Sequence, residues 1–301
     1  VIHQRWEYVD RSQVHYHHLW STNPDGTGQM IYYGNQTPGV VMIDAKPIPG
    51  SDEVISIFSP GHGQREHAGF VTILDPAGGP DNQQMARRIN DDGGYRDPIA
   101  VTQRCFMVAK NNTIELMDAS GNTELLYTTP KEDTDAGYWI HEPRPIAPHE
   151  REEIIPDRTD REEQTGRLAL IDVYKGRNMD GVERGDIKKL LVLESLPKPI
   201  NFTGGMDPLT YAGSFTLERV VGTVPVEEDG SAYMELPALR AFFFVALDEN
   251  DLAIKRMQSF LTVQPGETTS CVGCHEQRTQ TFMADGLRMA TSREPSQIEA
   301  I

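Results

Sequence analysis

Along this chain the apolar residues come in short runs, many alternating with polar ones, and each run is closed by Gly, Pro, Asn or Asp. A period of two with frequent turn residues is the pattern of β-strands, and it predicts a mainly β fold. HLWSTNPDGTGQMIYYGN predicts strand, turn over Asn23 to Gly28, strand. FVTILDPAGG is a strand closed by a turn, and TIELMDASGNTELLYTT is a hairpin turning at Asp118 to Asn122. Strand pairs of this kind are how propeller blades are written, and roughly three blades fit over 1–135. A closed propeller needs at least about four, so the expectation is a partial β-propeller completed by further sequence, with an unrelated all-β sandwich as the alternative.

From Trp139 to Gln164 prolines and charges crowd together, which predicts a linker or extended arm over 136–165. A second β-rich domain is expected over 166–301. RLALIDVYKG and IKKLLVLESLPKP read as strands, followed by strand pairs around an acidic turn at Glu227 to Gly230 and another at Asp248 to Asp251. Residues 281–301 are polar and predict a short helix with a mobile tail.

The chain's 301 residues have room for two ordinary domains. A formal charge of -17 repels polyanions, which argues against a nucleic-acid partner. No apolar run is long enough to span a membrane; the longest patch, around Ala241 to Leu247, is a strand or a short buried element. The first residues have neither a basic nor an apolar leader region, so any export signal has been removed or lies upstream.

Candidate chemistry centres on TTSCVGCHEQR, where Cys271, Cys274 and His275 form C-x-x-C-H, the attachment signature of one covalent c-type haem. Two thiols at this spacing reach neighbouring vinyl groups of the porphyrin, and the next residue's imidazole can ligate iron. Gly273 lets the backbone approach the ring. With 3 Cys and 9 His, chance produces the pattern roughly 0.001 times per chain. A zinc ribbon would need a second cysteine pair, and only Cys105 remains, expected as a buried thiol in the strand CFMVA. A redox pair normally sits in a βαβ unit, a pattern absent here. Haem attachment of this kind implies an extracytoplasmic location, the periplasm or an equivalent lumen.

His15, His17 and His18 stand together before a strand, and His62 and His67 lie in a Gly-rich loop. They are candidate zinc ligands or proton relays, or alternatively histidines bonded to backbone groups. His141 and His149 fall in the linker and are expected to be solvated. Asp10, Glu66 and Glu276 are candidate supporting carboxylates.

The segments RWEYVDRSQVHYHHLW, DAKPIPG, SPGHGQREHAG, GTVPVEEDGSAYMELPA and MQSFLTVQPGETTSCVGCHEQR resemble the hydrazine synthase alpha-subunit family. The resemblance implies a chain holding the latter half of a six-bladed propeller and a middle domain with a c-type haem, working beside other subunits. It also implies chemistry on nitric oxide and ammonia. In that family the catalytic iron is held by a tyrosine four residues after the motif histidine, which itself turns to zinc. Here that position is Thr279 and no tyrosine follows Tyr233, which makes His275 the natural iron ligand. No second C-x-x-C-H occurs. Three functions follow as expectations: a haem enzyme acting on a small nitrogen species, an electron carrier with Met283, Met289 or a histidine as second iron ligand, or a propeller-based binding module with an accessory haem. Redox partners and the missing propeller half are the expected partners.

Overall fold

The computed structural model describes residues 1–7, 16–35, 37–60, 67–148, 151–176, 179–197, 217–257, 259–273 and 286–301. Asp10, His15, His62, Glu66, His149, Cys274, His275, Glu276, Thr279 and Met283 lie outside them. Two compact units divide the chain: the first holds described residues of 1–7, 15–21 and 30–154, the second those of 22–29 and 155–301.

In the first unit, β2 (Tyr16–Ser21) and β3 (Met30–Tyr33) pair antiparallel with Leu19 opposite Tyr33, the strand pair expected there. They belong to a sheet ordered β1 (Ile2–Glu7), β2, β4 (Val40–Pro47), β5 (Val54–Ser59), β6 (Phe70–Leu74), β7 (Ala86–Arg88), in which only β2 and β4 run parallel. Alternation along the central strands feeds two cores. Ile43, Ile55, Ile57, Val71 and Ile73 enter one cluster, while Met42, Val54 and Leu74 enter another. The first cluster is closed by Phe106, Val108 and Met117 from a second sheet. That sheet is an antiparallel meander of β8 (Arg96–Thr102), β9 (Cys105–Lys110), β10 (Thr113–Asp118) and β11 (Thr123–Thr128). Its β10–β11 turn forms as expected because Asp118 Oδ1 accepts from Ser120 N at 2.8 Å and Asn122 N at 3.0 Å. No sheet closes on itself among the described residues. Cys105 is a half-buried thiol on β9.

The Pro- and charge-rich stretch is tied down in several places. After a short helix, α1 (Lys131–Asp135), Ile140 N donates to Asn111 O at 2.9 Å within the first unit. Further on, Asp160 N donates to Pro265 O at 2.9 Å within the second. No described helix is long and apolar enough to cross a membrane.

The second unit contains a sheet of β15 (Ala232–Pro237), β12 (Thr165–Leu170) and β18 (Thr268–Cys271), and another of β14 (Leu217–Pro225), β13 (Lys189–Leu196), β16 (Phe242–Leu247) and β17 (Ala253–Arg256). In β16, Phe242, Phe244 and Ala246 enter the larger core, and Phe243, Val245 and Leu247 a smaller one on the opposite face. Every residue of that strand is buried, as a run apolar on both faces requires. The acidic turn at Glu227 to Gly230 is present, but the strands it joins do not pair. Val224 of β14 faces Leu190 of β13, and Met234 of β15 faces Leu168 of β12.

The expected helix and free tail are also corrected over the described residues 286–301. Only a 3₁₀ turn forms, at Ala290–Ser292, and the tail is bonded to the sheets: Thr223 and Glu299 exchange backbone hydrogen bonds at 2.9 Å, and Glu235 N donates to Ser296 O at 3.0 Å. Gly222, with φ 152°, makes the approach feasible, since a Cβ there would stand 2.1 Å from Glu299 O.

Candidate haem-attachment site

The cysteine motif begins where β18 ends. β18 runs parallel to β12 with Cys271 opposite Leu170. The pairing continues past the strand end, Ile171 N donating to Cys271 O and Asp172 N to Val272 O, both at 2.9 Å. The Cys271 side chain packs, half-buried, on the larger core of the unit. At Gly273 the backbone presses on the preceding loop, and a Cβ would lie 2.0 Å from Lys175 O. The start of β18 is set by the buried Glu267. Its carboxylate accepts from Gly28 N at 2.8 Å and Gln264 N at 2.7 Å, and its carbonyl accepts from Arg167 N at 2.7 Å.

The loop that receives Val272 and Gly273 is itself braced. Asp172, 1% exposed, accepts from Tyr174 N at 3.1 Å and from Arg184 Nη2 at 2.6 Å. The bond to Asp172 raises the Arg184 pKa above its ordinary value. Tyr174 Oη in turn accepts from Gly185 N at 2.9 Å and Ile187 N at 3.0 Å, and donates to Ile187 O at 3.2 Å. Nearby, Asp229 accepts from Ser231 Oγ at 2.6 Å and Met289 N at 2.9 Å. Burial works against its charged form, yet these bonds hold its pKa below the usual value. Met289, a candidate iron ligand, is fixed through its backbone and exposed at its side chain.

Cys274 and His275 lie outside the described residues, so the site is seen from its entry. The donor chemistry of Cys271, Cys274 and His275, two thiols and an imidazole, suits a covalently held haem. The glycine between the cysteines is required by a backbone contact that no side chain would permit.

The other described histidines join no cluster of potential metal ligands. His17 and His18 on β2 are fully buried, His18 stacking on Trp20 at 5.7 Å between ring centroids. His67 is exposed in a turn. Among the described residues, one group of potential metal-ligating side chains has its ligand atoms within 4.8 Å of one another, and it contains no histidine: Asp44, Asp97 and Glu142. This cluster escaped the sequence reading because its members come from β4, β8 and the extended arm. The cluster ties that arm to the first unit. Asp97 Oδ2 accepts from Glu142 N at 3.0 Å and lies 3.1 Å from His141 Nδ1, and Lys46 Nζ donates to Glu142 Oε2 at 3.1 Å. Burial, and then the Asp97 charge, raise the Asp44 pKa to about 6. Asp44 also lines a 260 Å³ cavity with Ile2, His3, Leu19, Ile43 and Ala45.

Residues 185–276 match the family model of the hydrazine synthase alpha subunit middle domain, a stretch that ends one residue past His275. Among solved structures, the hydrazine synthase of Kuenenia stuttgartiensis superimposes with a TM-score of 0.74 over 97% of this chain, at 15% identity. At that identity the likeness concerns the fold. The present chain covers 44% of that protein's chain. No curated protein matches this chain.

Proposed function

We propose, from the premise that the chain is hydrazine synthase alpha-subunit-like, that it is an extracytoplasmic redox protein carrying one covalent c-type haem in its second unit. The observation that supports this most is that the matched segment 185–276 contains the whole C-x-x-C-H motif, entered through a backbone braced at Cys271 and Gly273. In this reading Cys271 and Cys274 tether the group and His275 ligates its iron, with zinc as the other metal His275 suits. Haem at this place supplies an iron able to exchange electrons or to bind a small nitrogen species. The chain's own part is positional. Asp172, Arg184 and Tyr174 hold the loop against which Val272 and Gly273 rest, so the first thioether sulfur departs from a fixed strand end.

The first unit, with its four-stranded meander, fits a segment of a β-propeller that further sequence completes, and other subunits are expected beside it. The iron's task divides into two readings. Turnover of a nitrogen species follows from the family. Electron transfer by a six-coordinate haem is favoured by one feature, the lack of any tyrosine after Tyr233, which leaves His275 as the local ligand.

The test is production in a host that matures c-type haem, followed by intact mass and the absorption spectrum in alkaline pyridine. One covalent haem is expected, lost in Cys271→Ala. A colourless polypeptide with both sulfurs open to alkylation would overturn the proposal. A high-spin ferric spectrum that shifts with nitric oxide supports turnover, and a low-spin spectrum indifferent to it supports electron transfer.

A further inference from the structure

A buried cation of the first unit is left without an acceptor. Arg96, at the head of β8, is 2% exposed. Its Nε and Nη1 are shut off from solvent and have no hydrogen-bond partner among the described residues. The ring of Trp139 lies 4.4 Å from the guanidinium carbon and attracts its charge. An aromatic face does not replace oxygen acceptors for the N–H groups, which point outward in the guanidinium plane. The neighbouring carboxylate is already committed: Asp97 Oδ2 accepts from Glu142 N and meets His141 Nδ1, and Asp97 shares a hydrogen bond with Asp44. The β8–β9 ladder also slips between Arg96 and Ile99, where Asp97 has φ 49°, and a bulge of this kind re-aims the side chains beside it. Burial lowers the Arg96 pKa, as it does for a cation whose counter-charge is not bonded to it. A charge this deeply buried calls for a partner.

We propose that Arg96 anchors a binding site for a small monocarboxylate, whose two oxygens take the guanidinium N–H groups beside the Trp139 ring. Guanidinium and carboxylate match in plane and spacing, so two parallel N–H···O bonds form together. The ring and the ligand do not compete, because one meets the charge through its π face and the other meets the N–H groups at the edge.

The surroundings set the ligand's charge and size. The chain carries -17, and Asp97, next to Arg96, belongs to the cluster with Asp44 and Glu142. A dianion such as sulfate therefore meets more repulsion for the same donors than a single carboxylate does. Access runs past Trp139, which is 54% exposed and stands one residue before Ile140, whose backbone bond to Asn111 O holds the arm at this point. The indole turns aside to admit the ligand and closes over it, and a site of this depth takes only a small one. The proposal concerns the first unit alone and stands apart from the haem.

The experiment uses the full chain near neutral pH at fixed ionic strength, with acetate as the probe and chloride as the reference anion. Acetate should show saturable magnetisation transfer from the protein, with dissociation in the millimolar range that so few non-hydrogen atoms permit. It should also raise Tm progressively over chloride, as a ligand of the folded state does. Arg96→Met removes the donors while keeping an unbranched side chain, and both responses should fall about tenfold or more. Arg96→Lys, which keeps the charge and loses the fork, should weaken acetate several-fold and decides the matter if the methionine variant fails to fold. Sulfate at equal ionic strength should leave the acetate signal in place. An unresponsive parent protein, whose guanidinium then bonds only water, would overturn the assignment, as would an acetate response undiminished in either folded variant or one displaced by sulfate.

Discussion

Gly273→Ala is the sharpest probe of how the motif is entered. The added methyl carbon would stand 2.0 Å from Lys175 O, 2.8 Å from Lys175 C and 2.8 Å from Lys175 Cβ. Comfortable separations between such atoms are about 3.5 Å, so the strands of backbone must part by more than about 1 Å. None of the three atoms is the free end of a flexible side chain, so no rotamer change relieves the clash. The movement also pulls on the Asp172 N to Val272 O bond of 2.9 Å. Overpacking of this sort costs about 1–3 kcal/mol, and a strained or lost hydrogen bond adds about 1 kcal/mol. The entropic advantage of Ala in the unfolded chain returns only about 0.5–1 kcal/mol. The balance is a destabilisation of about 2–3 kcal/mol, which in a unit of this size lowers Tm by about 5–10 °C. Scanning calorimetry of the haem-free protein reads it directly. A variant melting within about 1 °C of the parent would refute the claim that Gly273 is dictated by its contact with Lys175.

Two further substitutions test the supports of the two units. Arg184→Met leaves Asp172, 1% exposed, holding only Tyr174 N; with Arg184 54% exposed and its charge partly screened, the cost is about 2 kcal/mol, and adding Asp172→Asn should recover most of it in a double-mutant cycle by urea unfolding. Asp44 titrates near 6 in the fold, above the usual value for an unfolded chain. The fold therefore binds this proton more tightly, so the contribution is present at low pH and is lost as pH climbs through about 6. Asp44→Asn should flatten stability between about pH 4 and 6 and raise it at neutral pH by up to about 3 kcal/mol; an unchanged pH slope would refute the assignment of this titration to Asp44.

Local chemistry was legible where it acts locally. The Asp118 turn was readable because one carboxylate satisfies two amides within four residues. The run at Phe242–Leu247 announced a strand or short buried element by its unbroken apolar character, and the structure makes it a strand buried on both faces. At Glu227 to Gly230 the turn and its two flanking strands are present, but their partners were not legible. A turn between two strands is a local fact, whereas whether they pair depends on which distant strand offers the better register, here Leu190 for β14 and Leu168 for β15. The tail past Gly286 looked free for a related reason. Its polar residues have no core of their own to fill, and its order comes from backbone bonds to Thr223 and Glu235 and from the Arg293–Glu227 pair.

The amino-acid order alone made many of the strands, several of the turns and the C-x-x-C-H motif legible, because alternation, turn geometry and thiol spacing operate over a few neighbouring residues. Only the tertiary structure decided that Gly273 must be bare against Lys175 and that Asp44, Asp97 and Glu142 converge from three separate elements. Each of these depends on the distance between residues far apart in the chain, which sheet register sets and local sequence does not.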